Sequence, residues 1–270
     1  RGLISADGVV PACRTLDCVA VFAPTVGGAR RVGEGLVGHD DADPYSRPAA
    51  DGVGLTADAP DSPTVGVFAD PEFFGDPDMP ALYDAALDRL DELGATVETV
   101  SGEPFRETAE LLYDGPWVAE RLSVVADLIE SEPDALLDVT REIIAEGEDY
   151  SAVDTFEAMY ERQRNERAAA AVFDDVDALL TPTTGTTYSI ETVADAPREP
   201  NANLGYYTNY VNLLDLSAVA VPAGTRSDGA PLGVTLVGEA DDDAALLALA
   251  DRLAEGADRS VPVRTPVTPT

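Results

Sequence analysis

The sequence has 270 residues with 17 basic against 51 acidic side chains, a formal net charge of −34, and a hydrophobic share of 45%. That apolar share is enough for a core and excludes a disordered acidic polymer; the charge excludes nucleic acid, whose phosphates require clustered cations, and anionic membrane surfaces. All 17 basic residues are arginine and the acids are spread along the chain; near 1 M salt, where the Debye length is about 3 Å, such a surface is screened yet hydrated, so a halophile's cytoplasmic protein is expected.

Two cysteines, Cys13 and Cys18, are too few for a disulfide framework, and their spacing with His39 matches no zinc pattern. No apolar run approaches the roughly 18 to 20 residues that span a bilayer, and no signal-peptide core is present. The chain opens on Arg1 rather than methionine, so the expectation is a processed product or part of something longer.

In chain order, residues 1–26 are apolar and punctuated by Gly and Pro, and read as strands and loops of an interior. Residues 39–62 (HDDADPYSRPAADGVGLTADAPDS) read as a long surface connection. Residues 65–69 form a compact apolar run after Pro63, a buried strand. Over residues 78–93, Met79, Leu82, Ala86, Leu90 and Leu93 recur at helical spacing and Gly94 follows as a stop. Residues 95–100 (ATVETV) read as a strand, which completes a strand–helix–strand unit of α/β type.

From 104 to 176 the pattern is helical, broken at Gly115-Pro116, Pro133 and Gly147. Pro116 suits a first helical position, where its missing N–H costs nothing. Ser151 and Asp154 have capping-box spacing ahead of a helix that runs towards Val172. Strands are expected at 178–181, 217–221 and 233–237, and a helix at 243–254. The fold class predicted is α/β, a mixed, largely parallel sheet covered by helices, in one domain over 1–260 with a Pro/Thr-rich tail at 261–270.

The common catalytic constellations are absent. The single histidine, His39, sits in an Asp-rich loop and reads as solvated; there is no G-x-S-x-G elbow, phosphate loop or G-x-G-x-x-G, and with no lysine there is no Schiff-base or Ser–Lys chemistry within these residues. Asp70, Glu72, Asp76 and Asp78 have the donor chemistry of a hard-cation site, but in so acidic a chain a solvated face explains them better. Neither a metal nor a cofactor is expected.

Four stretches are more specific. RGLISADGVVPACRTLDCVAVFAPTV (1–26), LLYDGPWVAERL (111–122), LLTPTT (179–184) and NLGYYTNYVNLLDLSAVAVPAGTRSDGAPLGVTLVG (203–238) together resemble amidase-signature hydrolases, and within them the allophanate hydrolase branch. The resemblance runs over roughly residues 1–253, and its last block is the longest. It implies amide hydrolysis by a Ser nucleophile, a second Ser held through a cis peptide, and a Lys base, all in a segment that precedes the one resembled here. On that reading these residues are the later part of an amidase domain, catalytic residues are none, and the chain by itself is inactive. An amidase acting on another small amide and a non-catalytic remnant are the alternatives.

The resemblance also implies that Tyr113 and Arg121 hold the substrate. Allophanate carries a carboxylate beside its amides; a guanidinium fork grips a carboxylate bidentately, and a phenol adds a directed hydrogen bond without a competing charge. Implied partners are a small-molecule amide, the preceding part of the enzyme, a second copy in a homodimer, and a urea carboxylase in the same pathway; a further C-terminal domain is common in the branch. The aromatic and amide group Tyr206, Tyr207, Asn209, Tyr210 and Asn212 is left between pocket and packing, Trp117 and Cys13 are read as core, and Ser217 is not assigned as a nucleophile.

Overall fold

The computed structural model describes residues 1–48 and 53–255. The elements in order are α1 (Val26–Glu34), β1 (Thr64–Phe68), α2 (Met79–Glu92), β2 (Thr96–Val100), α3 (Glu103–Glu110), α4 (Trp117–Ser131), α5 (Asp138–Ala145), α6 (Ala152–Phe173), β3 (Ala178–Pro182), α7 (Ile190–Asp195), α8 (Arg198–Gly205), α9 (Asn209–Leu213), β4 (Ser217–Thr225), β5 (Pro231–Gly238) and α10 (Asp243–Glu255). Single 3-10 turns at Pro133–Ala135 and Glu146–Asp149 flank α5. Among the described residues no helix is long and apolar enough to cross a membrane.

The five strands make one sheet in the order β2-β1-β3-β5-β4. Pairing is parallel for β1 with β2 and with β3, and antiparallel for β3 with β5 and β4 with β5. Four strands therefore point one way and β5 alone points back, as expected of a mixed sheet in which β4 and β5 form a hairpin. Alternation along the strands separates two cores. Val65, Val67, Leu180, Val234 and Leu236 face α2 and α10, which bring Tyr83, Leu90, Leu246 and Leu253. Phe68, Leu179 and Val237 face the other way, towards Phe105 of α3, Ala169 of α6 and Tyr210 of α9. The result is a sheet covered on both faces, the expected fold class.

Local signals land where chemistry puts them. Gly94 takes φ +82° two residues beyond the end of α2, just after the C-cap Leu93, a conformation that costs a side-chain-bearing residue but not glycine. At the start of α6 the Ser151 hydroxyl accepts from the Asp154 N–H while the Asp154 carboxylate accepts from the Ser151 N–H, both halves of a capping box. Pro116 is at the N-cap of α4, one residue earlier than predicted, with Trp117 the first helical residue.

The N-terminal stretch differs from expectation. Among the described residues no strand precedes Thr64, and residues 1–25 run as turns before α1, which was not foreseen. The reason is competition for backbone donors: the Asp17 carboxylate takes the N–H groups of Ala12 and Cys13, and Asp43 takes that of Ala6, so acidic side chains do what a neighbouring strand would have done. Cys13 and Leu16 are buried, whereas Val10 and Phe22 are 83% and 96% exposed. The connection at 39–62 is pinned through Asp40 and Asp43 to residues 5 and 6, and its residues 49–52, like the tail predicted at 261–270 and the domain end at 260, lie outside the described residues.

The break at Gly147 is a close approach. A Cβ there would meet Ala119 Cα and Val118 O at 2.8 Å, so the turn before α6 lies directly on the backbone of α4. Gly147→Ala is expected to destabilise the protein by about 1–3 kcal/mol through overpacking, read as a lower thermal midpoint, and to displace the helix that carries Arg121.

Candidate functional site

The site candidates lie where α3 gives way to α4. The chain leaves α3 in a tight turn, with the N–H groups of Tyr113 and Asp114 both bonded to Glu110 O. Gly115 and Pro116 then restart it as α4; at Gly115 a Cβ would meet Leu111 O at 2.4 Å, so the turn has room for glycine only. Tyr113 thus sits just ahead of the helix and Arg121 one turn inside it. The Arg121 guanidinium carbon lies 4.5 Å from the centre of the Tyr113 ring, a cation–π stack. The two residues singled out from the sequence are brought together.

Below them is a small core of Cys13, Leu16, Leu111, Trp117, Ala158 and Leu213. Arg121 Nε–H donates to Cys13 Sγ at 3.4 Å, and the Cys13 thiol lies 3.7 Å from Trp117 O. Burial pushes the Cys13 thiol up in pKa against the opposing pull of Arg121. Burial likewise pulls the Arg121 guanidinium down, but its contacts with Cys13 and Tyr113 outweigh this and leave it above its usual value.

The loop that holds Cys13 is itself clamped. Glu120 accepts from Thr15 N–H at 2.9 Å and from the Thr15 hydroxyl at 2.7 Å, and Asn212 donates to Leu16 O at 2.7 Å. Glu120 is therefore committed to the loop and does not neutralise its neighbour. Among the described residues Arg121 has no carboxylate partner, although the chain has 51 acidic side chains. A half-buried guanidinium whose Nε is held by sulfur, whose face lies on a phenol and whose charge is unpaired is built to receive an anion.

The remaining candidates resolve as structure. Tyr207 OH donates to Glu72 O at 3.0 Å and accepts from Glu72 N–H at 2.6 Å. Tyr210 packs 5.2 Å from Phe105, and Tyr206 lies 5.5 Å from Phe74. These tyrosines belong to the core under the sheet, and Asn209 lies against Gly205. Ser217 donates to Asp243 at 2.9 Å, at the start of α10. His39 faces Asp41 at 3.1 Å in the surface connection. Of the acidic group, Asp76 is buried against Arg226 and Thr186, Asp78 accepts from Ser227, and Glu72 accepts from Phe74 N–H. Their donors are engaged by protein, and no group of metal-ligating side chains occurs among the described residues.

Sequence reasoning placed Cys13 in the core but missed that it holds Arg121, and missed the clamp from Glu120 to Thr15 altogether. These contacts join residues 108 and 105 positions apart, and no local pattern announces them.

Comparison with known proteins covers most of the chain. Urea amidolyases of Lachancea kluyveri and Saccharomyces cerevisiae are each 39% identical over 255 residues, which is 93% of this chain and 14% of theirs. A structure of Kluyveromyces lactis allophanate hydrolase superposes with a TM-score of 0.88 at 38% identity, over 93% of this chain and 41% of that one. A peptide amidase of Stenotrophomonas maltophilia, at 22% identity and a TM-score of 0.70 over 98% of this chain and 58% of that one, shares the fold. The chain thus spans less than half the length of the urea amidolyases and of the allophanate hydrolase. Residues 1–247 match the Amidase family, and the chain belongs to that family.

Proposed function

We propose that this chain forms the substrate-holding part of an amide hydrolase acting on allophanate, in the breakdown of urea to ammonia and carbon dioxide. The observation that carries the reading is the unpaired Arg121 guanidinium stacked on Tyr113 in a chain rich in carboxylates. An arginine so placed in such a protein is expected to find an acid; its contacts are instead the Cys13 sulfur and the Tyr113 phenol, which leaves the charge to a ligand, and a carboxylate accepts a guanidinium fork in one plane. The relatives support the substrate, since the similar proteins of known structure and sequence include an allophanate hydrolase and two urea amidolyases.

In this mechanism Arg121 binds the substrate carboxylate and Tyr113 supports the guanidinium from one face and offers its hydroxyl to the substrate. Cys13 and Glu120 act one step back, the first by holding Nε and the second by tying α4 to the loop 12–17. The 270 residues contain no lysine, so a Ser–Ser–Lys machinery cannot be completed from them, and the part assigned to them is binding and orientation. A link to urea carboxylase and a cytoplasmic, high-salt setting belong to the same proposal.

The test is ammonia release by the native gene product in molar salt, from allophanate and from biuret, in which an amide replaces the carboxylate. Faster turnover of allophanate at low substrate, by a factor of ten or more in kcat/KM, is expected. Equal use of the two would remove the carboxylate from the recognition and leave a general small-amide hydrolase.

A further inference from the structure

The turn between α9 and β4 holds a residue in a conformation that its side chain disfavours. Leu214 is the C-cap of α9, and Asp215 follows it with φ +57°. The hydrogen bonds there repeat those at the end of α2. Asp215 N–H donates to Asn212 O and Leu216 N–H to Val211 O, just as Gly94 N–H donates to Asp91 O and Ala95 N–H to Leu90 O. Glycine is the ordinary occupant of such a position, because it has no Cβ to crowd the backbone, and α2 uses it. An aspartate in the same place carries strain, and strain that a fold retains points to a use for the side chain.

The Asp215 carboxylate grips two arginines. Its Oδ1 accepts from Arg1 Nε at 3.1 Å, and its Oδ2 accepts from Arg47 Nη2. Arg1 reaches further: its Nη1 donates to Thr15 O. Thr15 is the residue whose N–H and hydroxyl are both taken by Glu120, the neighbour of Arg121 on α4, and two positions earlier Cys13 accepts from Arg121 Nε. Asn212, on α9 itself, donates to Leu16 O. The strained turn therefore holds the loop 13–16 through Arg1 on Thr15 and through Asn212 on Leu16, while the loop holds Arg121 through Cys13 and its helix through Glu120.

We infer that Asp215 is a positioning residue for substrate binding: acting through Arg1, it fixes the loop 13–16 and so the direction in which the Arg121 guanidinium meets its anion. The inference deepens the carboxylate-binding reading and rests on it. A planar fork takes a carboxylate in both arms only when its angle is set to within about 10–20°, and a long flexible side chain reaches that precision through the contacts behind it. Glycine at 215 would relax the backbone, yet it would release Arg1 and with it the loop.

The experiment is steady-state kinetics of the native gene product in molar salt with allophanate and biuret, read as the ratio of kcat/KM for the two. Asp215→Gly is expected to keep a cooperative thermal transition and to lower the ratio about tenfold, through KM for allophanate. Asp215→Asn tolerates the same backbone and keeps one acceptor for Arg1, so it should lower the ratio about threefold. Arg1→Met should act like Asp215→Gly, and the two together no more than either alone. Asp215→Gly added to Arg121→Ala should lower the ratio no further, because the effect runs through Arg121. A ratio unchanged by Asp215→Gly beside one abolished by Arg121→Ala overturns this inference and leaves the carboxylate reading standing. A ratio indifferent to Arg121→Ala removes that reading and the inference with it. Loss of cooperative unfolding in Asp215→Gly, or a further fall in the double variant with Arg121→Ala, also overturns the inference, since the carboxylate would then act on the fold or elsewhere in the site.

Discussion

Arg121→Ala in the native enzyme is expected to raise KM for allophanate by about 30- to 150-fold, the equivalent of about 2–3 kcal/mol for a charged bidentate contact, with a change of less than about threefold for biuret. The asymmetry is the informative part. Arg121 is stacked on Tyr113 and bonded through Nε to Cys13, so removing it also loosens the packing at the start of α4. Such loosening lowers activity on both substrates alike, whereas loss of a carboxylate fork lowers it on the charged one alone. Arg121→Lys sharpens the comparison, because it keeps the charge but has neither the fork nor an Nε for Cys13. It should recover less than half of the lost binding free energy. Steady-state kinetics on both substrates for the three proteins decides the matter, and equal losses with allophanate and biuret would show that the guanidinium does not read the carboxylate.

The second large effect concerns the ion pair that anchors the start of α2. The side chain of Asp76 is 1% exposed; it accepts from the N–H groups of Asp78 and Met79, from the Thr186 hydroxyl at 2.8 Å, and from Arg226 in an ion pair. Asp76→Ala is expected to cost about 2–4 kcal/mol, because it leaves the Arg226 guanidinium with the more exposed Asp228 as its remaining acid and two helix N–H groups without their acceptor. Burial pushes the Asp76 carboxyl up in pKa, but the N–H groups, Thr186 and Arg226 together hold it below the ordinary carboxylate value. Its folded pKa being depressed, its contribution is complete above the unfolded value of about 4 and disappears as pH falls through the folded one. Asp76→Asn should therefore unfold at a lower temperature than the parent at pH 7, with the gap closing as the pH is taken below about 4. A gap that stays constant with pH would show that the charge of Asp76 does not contribute to stability.

What was readable from the sequence was local. The capping box of Ser151 and Asp154, the stop at Gly94 and the break at Pro133 each depend on groups within four residues of one another, and each is where its chemistry requires; Gly147 was legible as a break, although its reason, the backbone of α4, lies 28 positions away. The apolar run at β1 was equally plain, because a strand buried on both faces has no polar position to confuse it. Residues 1–26 misled because their composition suits strands, whereas the partners of their N–H groups are carboxylates, one of them 37 positions away. The pair Tyr113 and Arg121 comes from the resemblance of the block 111–122 to its family, and no local periodicity singles it out. The sulfur that orients Arg121 could not be read at all, since nothing near Cys13 points to a residue more than a hundred positions later.

The order of strands has a consequence for how the molecule is made. β3 occupies the middle of the sheet, and its parallel neighbour β1 lies 113 residues earlier along the chain. During synthesis α2 to α6 leave the ribosome before the strand that divides the sheet exists, and the hairpin of β4 and β5 that closes it comes later still. Helices can form alone within microseconds, but the pairing that organises them must bring distant segments together and pay the entropy of a long loop before any contact repays it. Until β3 arrives, the apolar edge of β1 is open to any other strand in reach. The nascent chain is most exposed to mispairing in that interval, and the completed sheet, once β3 has been inserted, removes the hazard at its source.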